Sequence, residues 1–335
     1  MSVTNAILNR ARATLMGLAM GDALGMPAQT LTRSAIQAHY GRIEGFVAPF
    51  QGHPVSHGLR AAQVTDDTEQ TLLLARRLIA HPEGFDHEAW AHDLLEWEAA
   101  IRAKGLSDLL GPSSRTAIDA LLAGASSEES GWRGTTNGAA MRVAPVGIMT
   151  PPEVETVVAR VALTCRVTHN TGEAIAAASA VAMMVSCGIA GRDLDAALNY
   201  ALEACRLGQT AGHAVGETDM AGRIETALYL AEGGDEEALI AGIGTSVASR
   251  ESVPAAFGIL RLAQGDLWRG LLIAANAGDD TDTIGAIVGA MAGALGGDVP
   301  PAAEAQVMAA NDLDIDAVAR GLLALRGVDC EEVIG

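Results

Sequence analysis

Apolar residues recur along the 335-residue chain at spacings of three and four, the period of an amphipathic α-helix. A first helix is predicted over 5–25, ending in glycine-punctuated turns. Further helices are predicted at roughly 65–81, 87–103, 112–123, 138–150, 153–167, 171–189, 193–207, 218–231, 235–244, 253–264, 267–276 and 283–296. Short Gly, Pro or acidic breaks separate them, as helix ends require. Residues 30–63 carry Gly, Pro and His with little periodicity and read as a long loop, which in a compact domain usually serves function. No segment sustains strand alternation, no shift in composition marks a linker, and no solenoid period recurs. The pattern predicts one all-α domain over 1–335, a compact many-helix bundle.

Within the last predicted helix, Gly285, Gly289 and Gly293 recur at spacing four. Small residues along one stripe let two helix backbones approach closely, so this helix is expected at the centre of the bundle. Its N-terminus carries "DDTDT" (279–283), which puts those acids at the edge of a rigid support.

Composition narrows the partners. Aromatic residues are only 3% of the chain while hydrophobic residues are 49%, so the core must be built from Ala, Leu, Val, Ile and Met. A net charge of -19 argues against nucleic acid, because phosphate contacts need a basic face. An anionic substrate would then have to be met locally, by a metal ion or a helix N-terminus. Four cysteines (Cys165, Cys187, Cys205, Cys330) at wide, irregular spacing form no CxxC pair and read as thiols in a reducing compartment, the first three of them buried. The opening "MSVTNAILNR" is polar, unlike a signal peptide. The longest apolar run, near 284–297, is too short and too closely flanked by aspartates to span a bilayer. A cytoplasmic protein with no membrane partner is expected, as a monomer or weak homo-oligomer.

Two acidic clusters carry the candidate chemistry. In "TDDTE" (65–69), Thr65 suits an N-cap, and Asp66, Asp67 and Glu69 fall in a first turn that favours acids. Capping alone would explain this stretch. The second cluster goes further, with Asp279, Asp280 and Asp282 placing three carboxylates in four residues alongside Thr281 and Thr283. Unneutralised, they repel one another. Hard oxygen ligands of this kind suit Mg²⁺ or Mn²⁺, and two clusters at two helix starts fit a shared two-metal site.

Five ordered segments then resemble the ADP-ribosylglycohydrolase family over nearly the whole length. "GLAMGDALGMPAQ" (17–29) is similar to its opening motif, "TDDT" (65–68) to its first metal motif, and "TTNGAAMRVAPVG" (135–147) to its substrate loop. "THNTGEA" (168–174) is similar to its ribose-side histidine segment and "DTDTIGA" (280–286) to its second metal motif. The resemblance implies an all-α fold holding two divalent metal ions, Mg²⁺ or Mn²⁺. It implies Thr65, Asp66 and Asp67 as ligands at one metal and Asp280, Asp282 and Thr283 at the other, with Asp66, Asp67 and Asp282 carrying catalysis. Metals would orient the vicinal hydroxyls of a ribose and polarise a water, and carboxylates would stabilise an oxocarbenium-like state. Gln29, Asn137, Gly138 and His169 would contact the substrate, a small-molecule or protein-linked ADP-ribose.

The chain departs from the family pattern at two positions. Gln29 stands where many relatives have a gating, catalytic Glu, and an amide transfers no proton at neutral pH. An Asp of the clusters, another acid such as Glu44, or metal-activated water would have to replace it. Asp279 stands where glycine is usual. Elsewhere Asp22 reads equally as an acceptor behind the ligands or as a cap, Ser113 or Ser114 as an N-cap that also suits ligand contact, and Arg142 as the partner of a buried acid.

Other functions remain open on the sequence. His92-Asp93 matches the dipeptide of helical metal-dependent phosphohydrolases. Aspartate-rich helix starts also occur in terpene synthases, but those pockets need aromatic walls that a chain with 3% aromatics lacks. An N-glycosidase acting on a smaller ribosyl compound or nucleoside shares the ribose chemistry. A non-catalytic ADP-ribose-binding protein is the reading that Gln29 favours.

Overall fold

The computed structural model describes residues 3–103, 105, 111–216 and 218–330, and among them every regular element is helical. The N-terminal part comprises α1 (Val3–Gly25), α2 (Arg33–Tyr40), α3 (Asp66–Ala80), α4 (His87–Ala103) and α5 (Pro112–Leu122). Then come α6 (Gly138–Met141), α7 (Ala144–Met149), α8 (Val154–His169), α9 (Gly172–Ile189), α10 (Leu194–Gln209) and α11 (Met220–Glu232). The last are α12 (Glu236–Ile243), α13 (Ser249–Leu262), α14 (Leu267–Ala275), α15 (Thr281–Ala294), α16 (Pro301–Ala310) and α17 (Ile315–Leu325).

Most predicted helices lie within a few residues of these bounds, with four differences. The predicted loop 30–63 contains α2, whose N-cap Thr32 accepts from the Ala35 N–H and which buries only Ile36, too little to leave an apolar period. The predicted helix 138–150 is two, because Pro145 in the first turn of α7 lacks the N–H that would continue α6. α13 starts at Ser249 rather than 253 and accommodates Pro254 inside. α16 and α17 lie beyond the last predicted helix, although the buried stripe Ile315, Val318, Ala319, Leu322 and Leu323 has a legible helical period.

The glycine stripe of α15 meets a second one on α1. A Cβ added to Gly21 would lie 2.0 Å from the Gly285 carbonyl oxygen, and one added to Gly289 would lie 1.9 Å from that of Gly17. Gly25 fits against Thr281 in the same way, and Thr281 Oγ1 donates to the Gly25 carbonyl (2.8 Å). Only backbones without side chains can touch at this distance, so α1 and α15 form an antiparallel pair whose register is fixed. α9 packs alongside and is buried at every one of its 18 positions. By length and apolarity α9 passes as a membrane span, more so than the run at 284–297, but here it is a core helix. Cys165, Cys187 and Cys205 are buried free thiols, and burial pushes them up to about 12, 11 and 12.

Candidate functional site

The α1–α15 register brings the two acidic clusters together. Asp22 lies on α1 one residue past Gly21, fully buried, with its carboxylate turned to the start of α3. It accepts from the Thr65 N–H (2.9 Å), Thr65 Oγ1 (2.8 Å), the Thr68 N–H (3.1 Å) and Thr68 Oγ1 (2.6 Å). Asp22 is therefore the cap of α3, supplied from another helix. Thr65 occupies the N-cap position, yet its hydroxyl caps nothing and is spent on Asp22. Burial pushes the Asp22 carboxyl up to about 6, with these hydrogen bonds pulling the other way.

With α3 anchored, Asp66 and Asp67 face a cavity of about 200 Å³, together with Asp280, Asp282 and Thr283 from the start of α15. Thr283 Oγ1 reaches Asp67 Oδ2 at 3.4 Å, joining the two helix mouths. Burial raises Asp66, Asp67 and Asp282 well above the usual carboxylate range, and mutual repulsion adds to it, at Asp67 chiefly from Asp282. Asp280 rises to about 6 by burial, offset by a hydrogen bond from Asn137 Nδ2 (2.5 Å). Among the described residues none that lines the cavity is basic. Asp67 Oδ1 and Asp282 Oδ1 are buried with no hydrogen-bond partner. Four carboxylates, two of them with an orphaned oxygen, and a threonine hydroxyl form an all-oxygen donor set that fits a hard divalent cation. The fit is to a set that such an ion would draw together, since no three acidic, His or Cys side chains among the described residues are already grouped to hold one.

The remaining candidates take up distinct places. Thr65 does not line the cavity and stands behind Asp67 (3.4 Å), while Glu69 turns away to accept from Trp97 Nε1 (2.7 Å). Asn137 and Gly138 line the cavity, and Asn137 also donates to Ser252 Oγ (2.8 Å), so its amide braces Asp280 against α13. His169 is fully buried and does not line the cavity; its Nε2 meets Thr136, which does. Arg142 is not paired with an acid as expected. Its guanidinium, 1% exposed, donates to Gln70 Oε1 (2.7 Å) and Thr168 Oγ1 (2.5 Å). Ser114 lines the cavity, but the N-cap of α5 is Gly111 rather than either serine. Glu44 is exposed and away from the cavity. His92 pairs with Glu96 (3.5 Å) on the exposed face of α4, while Asp93 turns to Arg77 of α3 (2.8 Å), so the two side chains of the dipeptide are engaged apart from each other.

Gln29 lines the cavity with its amide held. Its Nε2 donates to Ser56 Oγ (2.9 Å), and Ser56 Oγ donates to the Met26 carbonyl (2.8 Å). Ser56 is in turn positioned by His53, whose Nδ1 accepts from the Ser56 N–H (2.9 Å) and the Val55 N–H (3.2 Å). Beside it, Thr30 (φ 65°) and Asp279 (φ 62°) both adopt the left-handed region; the Thr30 N–H donates to the Asp279 carbonyl (2.6 Å) and the Asp279 N–H to the Leu31 carbonyl (2.7 Å). That conformation costs a non-glycine residue about 1–2 kcal/mol, so glycine would suit the position of Asp279. The Asp279 side chain is exposed and outside the cavity. Sequence reasoning missed Val55, Val247 and Ser56. Val247 lay inside a legible helix–loop junction, whereas nothing in the aperiodic stretch 41–63 marked Val55 or Ser56.

Comparison with known proteins follows the same lines. Residues 3–332 match the family model described as ADP-ribosylglycohydrolase. The chain is 34% identical to the protein YegU of Escherichia coli (strain K12), covering 93% of this chain and 96% of that one. It is 27% identical to the ADP-ribosylarginine hydrolase Tri1 of Pseudomonas putida (strain GB-1), covering 87% and 71%. A solved structure described as an ADP-ribosylglycohydrolase-related protein complex shares the fold, with a TM-score of 0.68 at 23% identity over 96% of this chain and 99% of that one.

Proposed function

Because the chain belongs to the ADP-ribosylglycohydrolase family, we propose that it is a hydrolase cleaving the C1′ glycosidic bond of an ADP-ribosylated protein side chain or metabolite. The observation that carries this reading is the meeting of the α3 and α15 mouths in one cavity, with four carboxylates, three of them buried, and no lining cation among the described residues. Asp66, Asp67, Asp280, Asp282 and Thr283 would hold two divalent ions, Mg²⁺ or Mn²⁺, while Thr65 stands behind Asp67 with its hydroxyl given to Asp22. When bound, such ions neutralise the carboxylates, polarise oxygen and fix a ribose diol.

The chain's own residues supply the rest. Asp22 and Asn137 keep the two acidic pairs in place. A carboxylate of Asp66, Asp67 or Asp282 takes the proton of the attacking water, and their charge favours the oxocarbenium-like state. Gln29 orients the substrate and moves no proton. The arginine linkage named for the Pseudomonas putida relative belongs in the first set of substrates to be tried.

One observation favours a second reading, a protein that binds ADP-ribose without turnover: Gln29, which stands where the resemblance implies a Glu in many relatives, is an amide tied to Ser56. A hydrolysis screen by mass spectrometry separates the two. The panel is ADP-ribosyl-arginine and ADP-ribosyl-serine peptides, O-acetyl-ADP-ribose and common nucleosides, with Mg²⁺ or Mn²⁺ and with EDTA. Free ADP-ribose released only with metal supports the hydrolase. Free base from a nucleoside supports an N-glycosidase instead, and binding without any product supports the second reading.

A further inference from the structure

A buried chain of polar side chains crosses the protein behind the cavity. Asp66 Oδ2 accepts from Gln70 Nε2 (3.3 Å), and Gln70 Oε1 accepts from Arg142 (2.7 Å). Arg142 also reaches Thr168 Oγ1 (2.5 Å), Thr168 Oγ1 meets His169 Nδ1 (2.8 Å), and His169 Nε2 meets Thr136 Oγ1 (3.1 Å). The chain starts at an acid in one wall of the cavity and ends at a hydroxyl in another, since Asp66 and Thr136 both line it. The ring of His169 is packed against Gly138, where an added Cβ would lie 2.9 Å from Cε1, so the imidazole has little room to turn.

The direction of each hydrogen bond follows from one fact: a guanidinium can only donate. Thr168 Oγ1 must accept from Arg142. Thr168 is fully buried, so its own proton needs an acceptor, and the one it meets among the described residues is His169 Nδ1. Nδ1 is then unprotonated. Burial and the nearby Arg142 hold the imidazole well below its ordinary pKa, so the ring is neutral and its single proton sits on Nε2. Nε2–H donates to Thr136 Oγ1, which leaves the threonine proton unspent. Thr136 meets no acceptor for that proton among the described residues, and it faces the cavity.

We infer that Thr136 donates a hydrogen bond to an acceptor oxygen of the bound ligand, and that Arg142, acting through Thr168 and His169, fixes that direction. The inference rests on the reading of this cavity as the ligand site. Thr136 is the specificity-determining contact, while Thr168, His169 and Arg142 are positioning residues. The cavity thus has two chemically opposite sides. The carboxylate side receives cations and hydroxyl protons, and the Thr136 side, with Ser114 beside it, offers protons to phosphate, ring or carbonyl oxygen. Were His169 protonated on Nδ1 instead, Thr136 would donate inward and offer the ligand only lone pairs.

Two measurements on the full chain test this. Long-range ¹H–¹⁵N correlation on histidine-labelled protein, with His169 assigned by its loss in His169→Gln, should show Nδ1 unprotonated and Nε2 protonated. Calorimetric titration of ADP-ribose in Mg²⁺ should show about tenfold weaker binding for Thr136→Val, the loss of one hydrogen bond, and a change within about twofold for Thr136→Ser. His169→Gln added to Thr136→Val should weaken binding no further, because the relay acts through that hydroxyl. A proton on His169 Nδ1, unchanged binding by Thr136→Val, or additive losses in the double variant would each overturn the inference. If wild-type protein binds no ADP-ribose, the functional reading fails by itself, and the histidine tautomer still decides the relay.

Discussion

The two helix mouths that meet in the cavity are built in opposite ways. At α3 the acids are flanked by threonines whose N–H and hydroxyl groups all converge on one outside carboxylate, Asp22. At α15 the acids are held piecemeal: Asn137 on Asp280, the Thr245 carbonyl on the Asp280 N–H, and Thr281 on the Gly25 carbonyl. A single buried acceptor makes the α3 mouth rigid but dependent on one residue. The α15 mouth spreads the same task over three segments, so each contact matters less. Both are aligned by the glycine contact between α1 and α15, which sets Gly25 against Thr281 and, one turn earlier on α1, Gly21 against Gly285 beside Asp22.

The largest expected effect treats the two mouths as equals. Asp66→Ala and Asp282→Ala should each lower metal-dependent hydrolysis by more than about 100-fold with helical circular dichroism unchanged, since loss of a ligand exceeds the cost of losing its outer support. The difference between the mouths should appear in stability. Asp22→Ala leaves four donors of α3 without their acceptor, two of them backbone, and should cost at least about 3 kcal/mol in urea unfolding. Asn137→Ala, its counterpart at α15, should cost about 1 kcal/mol. Equal losses would mean that the contrast is false.

Those two mouths also differ in how far the sequence announced them. Asp66, Asp67, Asp280 and Asp282 were legible because acids at a helix start repel unless something neutralises them. The stripe Gly285, Gly289 and Gly293 announced a close contact, but its partners Gly21, Gly17 and Ala13 emerged only from the packing. Asp22 was visible as a polar residue inside an apolar helix, though its partner across 43 positions was not. Ser56 had no signal at all, because a serine in an aperiodic loop gains meaning only from Gln29 beside it. Side-chain pairings between distant segments depend on register, which the local pattern does not encode.

Acidity offers a smaller and reversible effect. In metal-free protein burial raises the carboxyls of Asp22 and Asp280 to about 6, and it also holds Asp66, Asp67 and Asp282 well above the ordinary carboxylate range. A folded pKa above the unfolded value near 3.9 favours the protonated fold. That stability is fully present below about pH 4 and, for Asp22 and Asp280, is lost as pH rises through about 6. With EDTA the Tm should therefore fall between pH 5 and pH 7.5, and Mn²⁺ should raise it more at pH 7.5 than at pH 5. A metal effect that is larger at pH 5 would contradict the sign. The smallest effect is expected at Gln29. Gln29→Glu removes the N–H that Ser56 accepts and should lower activity about fivefold, the equivalent of one hydrogen bond. A large gain in kcat would mean that the position still wants a base.

The central claim is that the mouths of α3 and α15 form one cation site. Calorimetric titration of Mn²⁺ into EDTA-treated wild type, Asp66→Ala and Asp282→Ala tests it most directly. The account predicts tight binding in wild type and a large loss in both variants, although the two residues lie on different helices. Wild-type binding retained in either variant would separate the mouths and contradict the shared site.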